Sequence, residues 1–234
     1  MAAAIRIRHS APAQSGCTPA PLLNGQRFRT RHLLANARKR IIVAITGASG
    51  VIYGVRALQL LHRTRAYETH LVLSPAAIRT LIEETEHTPD EIRALADVVH
   101  SHKDIGASIA SGSFKNEGML VAPCSVKTLS GIAHCYSDDL VVRAADVCLK
   151  ERRRVVLLFR ETPLHAGHIA LLQLATQSGA IVMPPVPGFY ARPRTIDDIV
   201  NQTVGRALDL FDVDVGVVRR WTEEEEEEPA AAQA

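Results

Sequence analysis

The stretch from Ile41 to Gly54, IIVAITGASGVIYG, leaves this chain the least choice of fold. Residues 41–45 are a continuous apolar run rich in β-branched side chains, the pattern of a strand buried on both faces of a parallel sheet. Thr46, Gly47, Ala48, Ser49 and Gly50 follow, all small or hydroxylated. Val51, Val55, Leu58 and Leu61 then recur at spacings of four and three, one apolar stripe of a helix. Strand, small-residue turn and helix in that order make the βα unit that binds phosphate. Backbone N–H groups come close to the anion, and the helix N-terminus adds a partial positive charge. GASG is neither the full dinucleotide fingerprint nor a Walker loop, since no Lys follows Gly50. An ordinary tight βα turn without a ligand is the other reading of the same residues.

The same alternation continues down the chain. Strands are expected at 68–74, 97–101, 119–122, 155–159 and 180–183. Helices are expected from Pro75 to Glu84, over 90–96, from Ser125, over 139–150, after Pro163 and over 195–211. About six strands alternating with helices argue an α/β, Rossmann-like three-layer α/β/α arrangement around a mainly parallel sheet. Pro184, Pro185 and Pro187 force an extended segment carrying Phe189 and Tyr190. A core of this size fits a single domain over 39–214. The net charge of +2 gives no case for a nucleic-acid partner, and no run of eighteen apolar residues suggests a membrane span.

Both ends differ from this middle. Residues 1–38 contain no Asp or Glu, while Arg6, Arg8, Arg27, Arg29, Arg31 and Arg38 recur among Ala, Ser and Pro. That is the composition of an organellar transit peptide, with a disordered basic tail or an over-called start codon, and a cytoplasmic protein, as the alternatives. Residues 215–234, with Glu223 to Glu228 as a like-charge block, read as an acidic, disordered tail.

Small, hydroxylated and cationic residues collect where strands end, which is where open α/β sheets bind ligands. Ser74 closes the second strand. Ser111 precedes the strand at 119–122, and Ser125, Val126, Lys127 and Thr128 follow it, Ser125 and Thr128 at the spacing of a helix cap and its third residue. Arg160 and Glu161 end the strand at 155–159, where unpaired charge is costly and points to a site, a rim salt bridge being the other reading. Arg143 and Lys150 lie two turns apart on one helix, and Arg206 lies on the last. Cys17, Cys124, Cys135 and Cys148 show no metal spacing, and Cys124 reads as a small core residue. His100 and His102 read as a solvated pair on one strand face, and His165 and His168 as capping or surface groups.

The blocks ITGASG, ASGSF, APCSVKTLSGIAH, RAADVCLKERR, RETPLHAGH, MPPVPGFYARP and NQTVGRALD resemble the UbiX/Pad1 family of flavin prenyltransferases, over about residues 40–212. The basic extension and RRW near the end look more like the fungal mitochondrial members. The resemblance implies the fold shared by flavoproteins and flavin-containing cysteine decarboxylases. It also implies a reaction: a dimethylallyl group from dimethylallyl phosphate or diphosphate is joined to N5 and then C6 of reduced FMN, without a metal. The product, prenylated FMN, serves UbiD/Fdc-type decarboxylases, and a homo-oligomer, a dodecamer, is expected.

By the same resemblance, Gly47, Ala48, Ser49, Ser74, Ser125, Val126, Lys127, Thr128 and Arg160 hold FMN. Ser111, Arg143, Lys150, Tyr190 and Arg206 hold the prenyl phosphate. Glu161, Lys150, Tyr190 and Arg206 carry the chemistry. Cations suit a departing phosphate, a carboxylate suits proton exchange, and a phenol offers both O–H and π face. Two positions depart from some members: Pro75 stands where they have Lys, and Ile105 where they have Trp. A flavin-dependent cysteine-type decarboxylase and a non-catalytic FMN-binding assembly protein are the alternatives. The first carries a PxMNxxMW-like segment that this sequence lacks.

Overall fold

The apolar runs do become strands. The computed structural model describes residues 38–221. Among them are β1 (Lys39–Ile45), β2 (Tyr67–Leu73), β3 (Val98–His100), β4 (Gly118–Cys124), β5 (Arg154–Phe159) and β6 (Ile181–Val182). They form one sheet in the order β3-β2-β1-β4-β5-β6, with every neighbouring pair parallel. From β1 the chain steps outward to β3, then returns to place β4 on the other side of β1. That reversal opens a crevice beyond the carboxyl ends of β1 and β4, the place where such sheets take ligands.

Because side chains alternate along a strand, β1 divides its apolar residues between two cores. Ile41, Val43 and Ile45 pack with α1 (Ile52–Thr64), α2 (Pro75–Glu84), α3 (Pro89–Ala94) and α7 (Ile196–Asp209). Ile42 and Ala44 face the other way, toward α4 (Val126–Ala133), α5 (Leu140–Lys150) and α6 (Ala166–Gln177). All five of these β1 side chains are fully buried. Burying one large aliphatic side chain of this kind contributes about 1.5–3 kcal/mol. The stripe Val51, Val55, Leu58 and Leu61 is buried as its spacing requires, so α1 lies flat on the sheet. Gly54 permits that approach, because a Cβ there would strike the Ala122 carbonyl oxygen.

Caps fix where the helices start. Ser74, Thr88, Ser125, Asp139 and Thr195 each accept a backbone N–H from the first turn that follows. The last strand is shorter than its apolar run suggested, two residues in place of 180–183. The strand expected over 97–101 is only Val98–His100, which separates the two histidines. Residues 215–221, expected to be tail, pack on the body: Val215 and Val217 join the first core, and Arg219 N–H donates to Gln202 Oε1 at 2.9 Å. The basic segment 1–37, with Cys17, and the acidic block Glu223 to Glu228 lie outside the described residues. Among the described residues, no helix is long and apolar enough to cross a membrane.

Candidate active site

Strand register decides which side chains meet at the carboxyl edge. β1 and β2 pair without slippage up to Ile45 and Leu73, so Thr46 and Ser74 leave the sheet side by side. Ser74 N–H donates to the Ile45 carbonyl at 3.1 Å. After an irregularity beyond Val121, β4 and β5 pair again at Cys124 and Phe159, so Ser125 and Arg160 emerge together. Arg160 N–H donates to the Cys124 carbonyl at 3.1 Å.

These ends surround a cavity of about 630 Å³, within the usual range of about 300–1,000 Å³ for small-molecule sites. It is lined by Gly47, Ala48, Ser49, Ser74, Ser125, Val126, Lys127, Thr128, Arg160 and Glu161, together with Pro75, Ala76, His102 and Asp139. All nine residues expected to hold a flavin therefore line one space, and Glu161, expected to carry chemistry, lines it beside them. The N-termini of α2 and α4 open on it. Ser74 Oγ accepts Ala77 N–H at 3.1 Å, and Ser125 Oγ accepts Thr128 N–H at 3.3 Å. Two aligned helix starts give this wall a partial positive charge suited to phosphate.

The first helix behaves differently from the sequence expectation. Its leading amides, Gly50 and Val51, donate to Glu84 Oε2 at 2.8 and 3.2 Å. A carboxylate from the end of α2 already occupies that helix start, so the turn meets the cavity through Gly47, Ala48 and Ser49. Gly47 is also needed for packing, since a Cβ there would fall on the Cβ of Ala76. Gly50 is the turn residue whose backbone, at φ +93°, calls for glycine.

Charges of both signs line the cavity. Lys127 Nζ lies 3.1 Å from Asp139 Oδ2 and 3.7 Å from Asp138. The hydrogen bond to Asp139 holds the Lys127 pKa above its ordinary value. Arg160 has no carboxylate within ion-pair distance among the described residues. Burial pushes the Tyr53 phenol up, and the Arg160 charge partly offsets this. Glu161 is half-buried, and its Oε1 accepts Thr162 N–H at 2.9 Å.

His102 and Asp139 were not foreseen as lining residues. The only sequence signal was Asp139 preceding an apolar helix, which reads as a cap and nothing more. The histidines also differ from a solvated pair. His100 Nε2 is 2.9 Å from Nδ1 of buried His70, and burial lowers the His100 pKa. His165 does cap α6, accepting Gly167 N–H at 3.0 Å, and stacks on His168.

The residues expected to hold a prenyl phosphate are not gathered at this cavity within one chain. Ser111, Arg143 and Lys150 belong to the layer of α5. Ser111 Oγ bonds Ser113 Oγ, Arg143 pairs with Asp146, and Lys150 pairs with Glu151. Lys150 ends an 11-residue helix that starts at the cavity, which carries it about 16 Å away. Tyr190 and Arg206 lie on the opposite face, with α7: Gln202 Nε2 donates to the Tyr190 hydroxyl at 3.1 Å, and Arg206 pairs with Asp209. Ile105, at the departure from Trp, is 55% exposed.

Among the described residues, no cysteine lines the cavity. Cys124 is fully buried, and burial pushes its thiol far above the ordinary range. Cys148 is pushed up to about 12 by the same cause, and Cys135 is exposed. Among the described residues, no group of three or more His, Cys, Asp or Glu is arranged to hold a metal ion.

Comparison with known proteins gives this geometry its context. A family model described as Flavoprotein matches residues 29–208. A flavin prenyltransferase UbiX of Thauera aromatica is 53% identical over 191 residues, covering 82% of this chain and 98% of the relative. The crystal structure of AnUbiX (PadA1) in complex with FMN and dimethylallyl pyrophosphate superposes with a TM-score of 0.78 at 49% identity, covering 81% of this chain and all of the other. A dodecameric FMN-dependent UbiX-like decarboxylase from Escherichia coli O157:H7 superposes with a TM-score of 0.77 at 46% identity, covering 79% of this chain and all of the other.

Proposed function

Because this chain belongs to the UbiX family of flavin prenyltransferases, we propose that the cavity at the carboxyl edge of its sheet is the FMN site of a prenyl transfer reaction. The enzyme is a flavin prenyltransferase, and FMN is its flavin. The observation that carries the assignment of the cavity is the convergence of Gly47, Ala48, Ser49, Ser74, Ser125, Val126, Lys127, Thr128 and Arg160 around one space. The donor chemistry fits: backbone amides, hydroxyls, two helix starts and two cations suit a phosphate on one end of a planar ring.

When bound, reduced FMN supplies the nucleophilic N5 and C6 that accept the dimethylallyl group. The protein's task is to stabilise charge on the leaving phosphate and to exclude water. Lys150, Arg206 and Arg143 are assigned the phosphate charge, and Ser111 a hydrogen bond to it. Tyr190 offers its O–H to the phosphate and its ring face to the allyl cation. Glu161, half-buried at the cavity wall, exchanges a proton with the phosphate as the second bond forms.

This assignment requires several copies of the chain, since Lys150 and Arg206 stand on opposite faces of one sheet. Helix α6 suits such an assembly. It is largely apolar yet buries only Ala175, leaving Ile169 53% and Leu174 39% exposed. A dodecamer like that of the Escherichia coli neighbour accounts for both observations. The product, prenylated FMN, is assigned to a UbiD/Fdc-type decarboxylase. The acid-free, Arg-rich composition of residues 1–38 supports delivery to mitochondria.

The test is direct. The purified protein is given reduced FMN and either dimethylallyl phosphate or diphosphate under anaerobic conditions. A flavin mass gain of one C5 unit is expected. No gain with either donor overturns the assignment, and CO2 release from a cysteine-terminated peptide would replace it with the decarboxylase alternative.

A further inference from the structure

One carboxylate in the cavity wall serves two cations. Asp139 caps α5, and its Oδ1 accepts Val142 N–H at 3.0 Å. Its other oxygen, Oδ2, takes Lys127 Nζ at 3.1 Å, and His102 Nε2 stands 3.3 Å from the same atom. The Asp139 side chain is only 8% exposed and that of His102 17%, whereas Lys127 is 68% exposed. The other charges at this corner are Asp138, 3.7 Å from Lys127, and Lys103 and Asp104 on the loop of His102. Arg160 and Glu161 contribute from the end of β5. All three members of the cluster line the cavity.

A lysine held against a buried carboxylate presents a dipole to an incoming anion, a weaker attractor than a free charge. Histidine is the side chain whose charge changes in the physiological range. Once protonated, His102 gives Asp139 a second cation at ion-pair distance. Lys127, exposed and on a flexible four-carbon stem, can then turn its ammonium toward an anion in the cavity.

We propose that His102, Asp139 and Lys127 form a proton-linked binding element for the phosphate of the flavin, in which protonated His102 holds Asp139 and releases Lys127 to the ligand. The proposal rests on the reading of this cavity as the FMN site. The sign follows from linkage: a protonated His102 favours binding, so FMN binds more tightly as pH falls.

The experiment is flavin fluorescence titration of the full chain between pH 5.5 and 8, with FMN and with riboflavin. The phosphate of FMN titrates in this range too, so each variant is compared with wild type at each pH. Relative to His102→Gln, wild type should bind FMN about two- to fivefold more tightly at the acid end, the effect of a partly exposed ion pair. Asp139→Asn keeps the helix cap, since Asn caps as well as Asp. It should bind FMN more tightly than wild type at pH 8 by a similar factor, and lose the extra pH dependence. Riboflavin, lacking the phosphate, should show no difference among the three proteins. If Asp139→Asn and His102→Gln both keep the wild-type profile, the cluster is structural and the proposal falls. An equal response with riboflavin overturns the phosphate assignment. A wild type that binds no FMN at any pH overturns the reading of the cavity itself.

Discussion

The Thr46 hydroxyl donates to the carbonyl oxygen of Pro123 across 2.7 Å, joining two turns 77 residues apart. Thr46 Oγ1 in turn accepts Ser125 N–H at 2.9 Å, so one buried side chain sets the spacing between the turn after β1 and the start of α4. The cavity therefore depends on a cross-link that belongs to neither turn alone.

Replacing Thr46 with Val keeps the shape and removes the oxygen. Ser125 N–H then loses its acceptor, and a buried donor left unpaired costs about 1–3 kcal/mol. Chemical denaturation should show a loss of that size, and FMN affinity should fall with it. Thr46→Ser should stay near wild type in both measurements.

Gly47 makes a prediction about cause. Gly47→Ala drives a Cβ onto Ala76, so instability and loss of co-purified FMN are expected. The double variant Gly47→Ala with Ala76→Gly removes the Cβ–Cβ overlap, leaving only tight contacts to the residue 76 backbone at 3.1 and 3.2 Å. If stability and flavin both return, packing against α2 is why glycine stands there. If stability returns without flavin, the ligand itself needs the missing Cβ.

Glu161 tests the chemistry. A carboxylate beside a phosphate is electrostatically wrong for binding alone, and right for proton exchange. Glu161→Gln should retain FMN and the prenyl donor but turn over about 10²–10⁴-fold more slowly, the usual contribution of a proton-transfer group. Stopped-flow and equilibrium binding on the same preparation separate the two. Near-normal turnover, or complete loss of FMN, would refute the role.

Lys150 and Arg206 predict complementation. Each variant, Lys150→Ala and Arg206→Ala, should be inactive as a homo-oligomer. Assembled together from co-expressed chains, they should recover measurable prenyl transfer, because one copy can supply the lysine and another the arginine. Mixed assemblies that stay inactive would place both groups in a site made by one chain.

Much of the architecture was legible in the residues. Continuous β-branched runs can only be satisfied by burial on both faces, so β1, β4 and β5 and the parallel sheet followed from hydrophobic pattern. Ser74, Ser125 and Asp139 could be placed at helix starts because capping is local chemistry, decided within four residues. Tertiary structure decided the rest, since it depends on which distant groups are brought together. Glu84 reached Gly50 and Val51 from the far end of another helix. His102 and Asp139 became cavity residues only when the loop after β3 folded against the start of α5. The separation of Lys150 from Arg206 followed from the two faces of the sheet, and no local spacing encodes the face on which a helix lands. Sequence fixes what short-range sterics and burial dictate; the electrostatics of a site depend on long-range proximity, which exists only after the chain has folded.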